Sequence, residues 1–284
     1  MTCETEILCG IHSVLEALKA KRRTFFKIYI SKERNLARLN EILELAKLQL
    51  TQVEFISANE LDRISNRVKH QGIVAKVLPL SVKKAEVEIK NLGAIRLNKN
   101  SDTIFDKKYN NSIKIKPNRY EIEPNTEAKE SKKKFIVVLE GIEDTHNLGA
   151  IIRTAICAGV DHIIIPKDRA VQPSPAVSRI SAGAMEHADI WIATNITSSL
   201  KLLKKEGFWV AGLDADGETP LFRSDLTDNI VLVIGGEHQG IRPLVKKECD
   251  FLLSLPLASM VTSLNASVAC GIAIYEVVRQ RGLA

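Results

Sequence analysis

The sequence predicts an α/β protein in two unequal parts: a small N-terminal α/β module and a larger C-terminal domain built on a parallel sheet. Two observations carry that expectation. Apolar runs of strand length alternate with stretches of helical periodicity at 4–77 and again, in longer runs, at 135–281. Between them the composition turns to Lys, Asn, Ser and Glu, and the run Lys132-Lys133-Lys134 closes the stretch. The expected division is 1–78, a basic, mostly flexible linker at 79–134, and 135–284. A structureless stretch of that length is more natural between domains than inside one.

In the N-terminal module, 11–18 carries helical spacing, FFKIYI at 25–30 reads as a strand and 37–48 as an amphipathic helix. VEFIS at 53–57 is a second strand, Asn59 can cap a short helix, and GIVAKV at 72–77 is a third strand. The module is too small for an elaborate active site. Arg22, Arg23, Lys27, Arg63, Arg67, Lys69 and His70 are instead expected to offer a phosphate-contacting surface. Weak apolar patches at 87–89 and 113–115 could pair locally within the linker.

In the C-terminal part, FIVVLEGI at 135–142, HIIIP at 162–166, IWIAT at 190–194, WVAGLDA at 209–215, IVLVIGG at 230–236 and FLLSLP at 251–256 are continuous apolar runs. Such runs suit strands covered on both faces, as in a parallel sheet. Helices are expected to start near Leu148, Pro175, Ser198, Arg242 and Leu264, with Pro175 after Ser174 a good first-turn proline.

Composition narrows the function classes. A hydrophobic content of 45% over 284 residues supports a real core. No apolar run approaches the ~20 residues of a membrane helix, and MTCETEILCG has acids where a targeting peptide has bases, so a cytoplasmic protein is expected. Five cysteines without a C-x-x-C pair fit reduced thiols, with Cys157 and Cys270 as small core residues. The net charge of +6 divides unevenly: 13 Lys+Arg against 9 Asp+Glu in 1–78, 14 against 8 in 79–134, and 13 against 17 in 135–284. A polyanion would thus be gripped by the N-terminal half, unless that charge merely solvates the surface.

Three loops that follow strands hold the polar residues suited to chemistry. In 143–160, Leu148, Ile151, Ile152, Ala155 and Ile156 form an apolar stripe; Arg153 lies off it and Asn147 stands at the helix entrance. Taken singly, these read equally well as a capping Asn and a solvated Arg. Glu143, Asp144 and His146 lack metal-ligand spacing, so no metal is expected. In IGGEHQGIRP, 234–243, glycines after a buried strand let the backbone approach a ligand. Neither G-x-G-x-x-G nor Gly-Lys-Ser/Thr follows, which argues against ordinary dinucleotide or P-loop binding. Glu237 is there an orienting carboxylate or a turn residue. In 258–265, after the strand that Pro256 ends, Ser263 or Asn265 can cap the terminal helix. Ala266, Ala269, Cys270 and Ala273 leave that helix one slim face.

Together and in this order, Asn147-Leu148-Gly149-Ala150 through Arg153, Gly235-Gly236-Glu237-His238-Gln239-Gly240, and Leu255-Pro256 through Ser263-Leu264-Asn265 resemble the three motifs of the SpoU (TrmH) family of RNA ribose 2′-O-methyltransferases. That family lies within the SPOUT class, which uses S-adenosyl-L-methionine. GIHSVLEAL, HQGIVAKV, PKDRAVQ and EVVRQR look like its bacterial branch, which methylates a large-subunit rRNA guanosine. The resemblance covers nearly everything except the linker, which is longer and more basic than the family's usual one.

The resemblance implies an L30e-like N-terminal RNA-binding module and a C-terminal SPOUT domain with a deep trefoil knot, working as a homodimer through that domain. It implies a cofactor bent against Gly235, Leu255 and Leu264, with Gly212 and Leu213 as weaker additions. It places Arg153 at the 2′-OH, from its own or the partner subunit. A guanidinium stays protonated, so its expected role is to bind phosphate and stabilise the alkoxide. Asn147, Ser263 and Asn265 would orient ribose, phosphate and loop, and Glu237 would fix the architecture around Arg153. The implied substrate is a 23S rRNA guanosine. A tRNA D-loop guanosine and a non-catalytic ribosome-binding or assembly role are the alternatives.

Overall fold

The computed structural model describes residues 4–33, 39–98, 133–237, 239–258 and 263–282. The N-terminal unit runs β1 (Glu6–Cys9), α1 (Ile11–Ala20), β2 (Phe25–Ser31), α2 (Asn40–Leu48), β3 (Gln52–Ile56), α3 (Ala58–Ile64) and β4 (Ile73–Val77). Its strands lie in the order β1-β4-β2-β3, with only β2 and β3 parallel. Leu18 of α1 and Ile42 of α2 pack with one set of strand residues, and Leu61 of α3 with another. Residues 34–38, where the second helix was expected to begin, lie outside the described residues. Ser57 caps α3 instead of Asn59: its hydroxyl accepts from the Glu60 N–H at 3.4 Å, and the Glu60 carboxylate takes the Ser57 N–H at 2.9 Å.

Residues 83–98, inside the stretch expected to be flexible linker, form β5 (Lys83–Lys84) and α4 (Ala85–Asn98). The C-terminal part continues with β6 (Phe135–Glu140), α5 (Thr145–Cys157), β7 (His162–Pro166), α6 (Pro175–Ile180), β8 (Ile190–Ala193), α7 (Ile196–Lys205), β9 (Trp209–Leu213), β10 (Thr219–Pro220), β11 (Ile230–Gly235), α8 (Pro243–Lys246), β12 (Phe251–Ser254) and α9 (Ala266–Gln280). β5 pairs with β8, and Ala85 and Ile89 are buried in the core beneath. Two apolar anchors one helical turn apart seat α4; the apolar residues in its sequence recur all round the helical wheel, so no stripe shows. Residues 99–132, including the apolar patch at 113–115, lie outside the described residues.

The large sheet has the order β10-β12-β9-β11-β6-β7-β8-β5 and is parallel throughout. Alternate residues feed two cores. Phe135, Val137 and Leu139 pack with residues of α5, α6 and α9, and Ile136 and Val138 with residues of α4, α7 and α8. Continuous apolar strands are what such double coverage requires. At the end of α9, Arg281 donates to the carbonyls of Lys133, Lys134 and Asp228 at 3.1, 3.2 and 2.7 Å, fastening that helix to the approach to β6. After β8 the chain crosses to β9, and β11 then inserts between β9 and β6. This puts a topological switch between β6 and β11, where ligands of open parallel sheets bind at the carboxyl ends.

Arg22 and Arg23, expected on an RNA-facing surface, are instead the bolts between the two units. Arg23 is buried between Glu6 (2.6 Å) and Glu186 (2.7 Å), and the other Glu186 oxygen accepts from the Ser178 hydroxyl at 2.7 Å. Arg22 donates to the Ala188 carbonyl at 2.5 Å. A buried carboxylate binds the nearest guanidinium wherever it lies in sequence, because leaving either charge unpaired is costly. Glu186 sits in a 3₁₀ turn, Ala184–His187, entered through Gly183 at φ 84°; a Cβ there would lie 2.7 Å from the His12 carbonyl oxygen of α1. Cys270 is buried as expected, but Cys157 is exposed on the outer side of α5.

Asp189 holds the sheet edge. Lys83 of β5 lies 3.2 Å from one of its oxygens and His162 Nδ1 3.0 Å from the other, with His162 stacked on Trp191 at 4.1 Å between centroids. Burial pushes the Asp189 carboxyl up, but hydrogen bonds and charge from His162 and Lys83 outweigh it and hold the group well below the usual carboxylate range. A depressed carboxylate contributes stability fully above its unfolded pKa and loses it as pH falls toward the folded one. Asp189→Asn is therefore expected to destabilise the chain at pH 7, with the gap to wild type narrowing below about pH 4. Urea unfolding at pH 7 and pH 3 checks this.

Candidate active site

The carboxyl ends of β6, β9, β11 and β12 meet the first turns of α5 and α9. Asp144 caps α5 by accepting from the His146 N–H at 2.8 Å, which places Asn147 inside the first turn and not at the cap. Asn147 is buried, and both ends of its amide are engaged. Its Nδ2 donates to Glu237 Oε1, and its Oδ1 accepts from Asn265 Nδ2 at 3.0 Å. Asn265 in turn caps α9, its Oδ1 accepting from the Ser267 and Val268 N–H groups at 2.9 and 3.3 Å. Three of the five expected catalytic residues thus form one line, from a carboxylate through two amides to a helix N-terminus. Asn265→Ala is expected to cost about 1 kcal/mol through the lost cap. Asn265→Asp keeps the acceptor but loses the donor to Asn147, so unfolding midpoints and turnover of the two variants separate the roles.

Glu237 holds Asn147 and not, as expected, the surroundings of Arg153. Arg153 lies six residues beyond Asn147, about 9 Å along α5 and a third of a turn away in direction. It is exposed and has no hydrogen-bond or ion-pair partner among the described residues. Ser263 is exposed on the loop before α9, and residues 259–262 lie outside the described residues.

Among the expected cofactor-binding positions, Gly235 is fixed by close backbone approach. A Cβ there would lie 2.1 Å from the Gly240 carbonyl carbon and 2.4 Å from the Ile241 nitrogen. The loop turns back on itself, the Gly240 N–H donating to the Gly236 carbonyl at 3.1 Å. At Gly236 a Cβ would lie 2.2 Å from the Gly141 carbonyl oxygen, so the ends of β11 and β6 touch backbone to backbone. Leu213 and Leu255 are half-buried at neighbouring strand ends, and Leu264 is 41% exposed. Bare backbone beside three partly exposed leucines fits a flat, weakly polar ring such as adenine. Gly212 differs: it is buried, and Leu252, Cys249 and Ile241 fill the space a side chain would take, so packing explains this glycine.

Two residues escaped the sequence reading. Glu140, buried at the end of β6, accepts from both Nε and the backbone N–H of Arg242, the latter at 3.1 Å. This pair presses the loop after β11 onto β6. An acid ending the run FIVVLE was a signal; its partner, 102 residues away, was not. Asp214, at the end of β9, pairs with Lys246 at 2.6 Å. Burial, reinforced by Asp250 and Glu140, pushes the nearby Cys249 thiol up to about 12, which removes it as a nucleophile.

A family profile described as SpoU rRNA Methylase family matches residues 134–275, and one described as RNA 2′-O ribose methyltransferase substrate binding matches 7–82. The chain is 37% identical to the 23S rRNA (guanosine-2′-O-)-methyltransferase RlmB of Coxiella burnetii over 272 residues, 96% of this chain and 94% of the relative. It is 31% identical to the RlmB of Escherichia coli (strain K12) over 277 residues, 98% and 99% of the two chains. Its fold matches the SpoU methyltransferase AviRb from Streptomyces viridochromogenes, solved with AdoMet, at a TM-score of 0.71 and 18% identity over 99% of this chain and 92% of that one.

Proposed function

The chain belongs to the SpoU rRNA methylase family, and from that premise we propose that it methylates the ribose 2′-OH of a guanosine in 23S rRNA, using S-adenosyl-L-methionine. The observation that carries the reading is the line Glu237–Asn147–Asn265, drawn from the three motif loops and set at the switch point of the sheet. When bound, S-adenosylmethionine supplies an electrophilic methyl carbon on a sulfonium. Gly235, Leu213, Leu255 and Leu264 would hold it, the glycine through backbone and the leucines through apolar contact. The protein must then keep the ribose oxygen in line, about 3–3.5 Å from that carbon, and stabilise the charge that grows on it.

Asn147 and Asn265 suit the first task, since each amide is fixed at both ends and cannot drift. Ser263 would add a hydroxyl to the ribose or its phosphate. Arg153 suits the second task, but its direction on α5 turns it away from the Asn147 amide. We therefore assign it to the site of a second copy of the chain, with the homodimer formed through the outer faces of α5 and α9. Half-exposed Val268 and Tyr275 on α9 support such a face. The loops after β11 and β12 would form the trefoil knot, and the N-terminal unit would grip rRNA.

Two measurements test the reading. Calorimetric titration should detect S-adenosylmethionine binding to the full chain, and labelled methyl should pass to unmodified 23S rRNA. Nucleoside mass spectrometry should then identify 2′-O-methylguanosine. Absence of binding at millimolar cofactor would overturn the enzyme reading, and methylation confined to tRNA would overturn the substrate.

A further inference from the structure

At the C-terminal turn of α3 lies a cavity of about 560 Å³ lined by Asn59, Asp62, Arg63, Asn66 and Arg67. Asn66 and Arg67 follow one another in the left-handed region, at φ 50° and 59°. Arginine takes that conformation at a cost of about 1–2 kcal/mol, and such strain persists where the surroundings enforce it. The enforcing contacts are visible. The Arg67 N–H donates to the Asp62 carbonyl at 2.8 Å, the Gly72 N–H donates to His70 Nδ1 at 3.0 Å, and His70 Nε2 lies 3.0 Å from Asp62 Oδ1. With Nδ1 accepting, the His70 proton sits on Nε2 and donates to Asp62. The side chains of Asn59, Arg63, Asn66 and Arg67 have no hydrogen-bond or ion-pair partner among the described residues, so the turn is held rigid while its polar groups stay free.

We propose that this hollow binds an unpaired nucleotide of the RNA substrate, apart from the methyl-transfer loops; the proposal rests on the RNA-methyltransferase reading above. Two planar guanidinium groups suit a phosphate and the face of a splayed-out base. Two asparagines match the mixed donors and acceptors of a base edge, and the second Asp62 oxygen can accept from a base amino or imino group. The position suits coupling to the active site. Asn66 also lines a second cavity, of about 290 Å³, shared with Pro175, Ala176 and Arg179 of α6. α6 packs on α5 so tightly that a Cβ at Gly149 would lie 2.5 Å from Ile180 Cγ2, and α5 carries Asn147 and Arg153. RNA seated on α3 would therefore meet a wall continuous with the catalytic helix.

The test is filter binding of the full chain to an unmodified 23S rRNA transcript across a salt series, with S-adenosylmethionine affinity measured in parallel. The double variant Arg63→Ala, Arg67→Ala should bind the transcript at least about tenfold more weakly. Its log-affinity against log-salt slope should be shallower by roughly 1–2, with cofactor affinity and unfolding midpoint unchanged. Asn66→Gly, which accepts the same backbone without strain, should weaken RNA binding with no loss of stability. If wild type binds the transcript and the double variant binds within twofold of it, the site assignment is overturned and the enzymatic reading stands. If wild type binds cofactor but no RNA, the rRNA reading and the site fall together.

Discussion

Arg153→Ala is expected to lower kcat by about 10²–10³-fold, the loss typical of removing one preorganised charge donor at a reacting oxygen. Affinity for S-adenosylmethionine should stay unchanged, because the residues assigned to the cofactor lie at the ends of β9, β11 and β12 and on the loop before α9, and not on α5. Arg153→Lys should recover only part of the rate, since an ammonium keeps the charge but loses the planar fork. The dimeric assignment gives the variant a second use. Co-purified heterodimers of Arg153→Ala and Asn147→Ala contain one site with both native residues if Arg153 acts across the interface, and none if it acts within its own chain. Single-turnover assays on the mixed dimer should therefore show activity absent from either parent. Its absence would return Arg153 to its own chain, and near-normal turnover of Arg153→Ala alone would remove it from the chemistry.

Arg23→Ala should be the most damaging substitution outside the site. Glu186 is fully buried and Glu6 partly so, and both lose their guanidinium at once. Breaking a buried pair from one side costs about 3–5 kcal/mol. Urea unfolding followed by Trp fluorescence should report a loss of that size, and limited proteolysis should release the N-terminal unit earlier than in wild type. Arg22→Ala, which removes hydrogen bonds to carbonyls and no ion pair, should cost about 1–2 kcal/mol. Replacing Arg23 and Glu186 together by apolar residues of similar volume should restore much of the lost stability, because no charge is then stranded. Equal losses in Arg23→Ala and the double replacement would show that shape rather than charge holds the units together.

The parallel sheet was legible because its strands are apolar on both faces, and that requirement is written locally in runs such as IVLVI. The motif loops were legible as a set, since Asn147, Glu237 and Asn265 each read as ordinary turn or cap residues alone. What stayed hidden was whatever depends on distant partners. Arg23 and Glu186 are 163 residues apart, so the arginine looked like one more surface base in a positive module. Glu140 and Arg242 were missed for the same reason. α4 was hidden by degree and not by distance: its apolar residues recur all round the helical wheel, so the anchoring pair Ala85 and Ile89 shows no period in the sequence. Cys157 shows the opposite failure: hydrophobic company in sequence placed it in the core, whereas helical phase turns it outward with Ala150 and Arg153.

The two margins of the large sheet bear on how the protein avoids sticking to copies of itself. A broad parallel sheet has unpaired N–H and C=O groups along both borders, and while it assembles slowly those borders can recruit another chain. Here one border is β5, two exposed lysines, and the other is β10, whose Pro220 has no N–H to offer. An incoming strand would meet repulsion on one side and a missing donor on the other. Exchanging Lys84 for Thr would keep the Lys83–Asp189 pair that holds the strand while removing part of that protection, and the consequence would appear first as aggregation during refolding at high protein concentration.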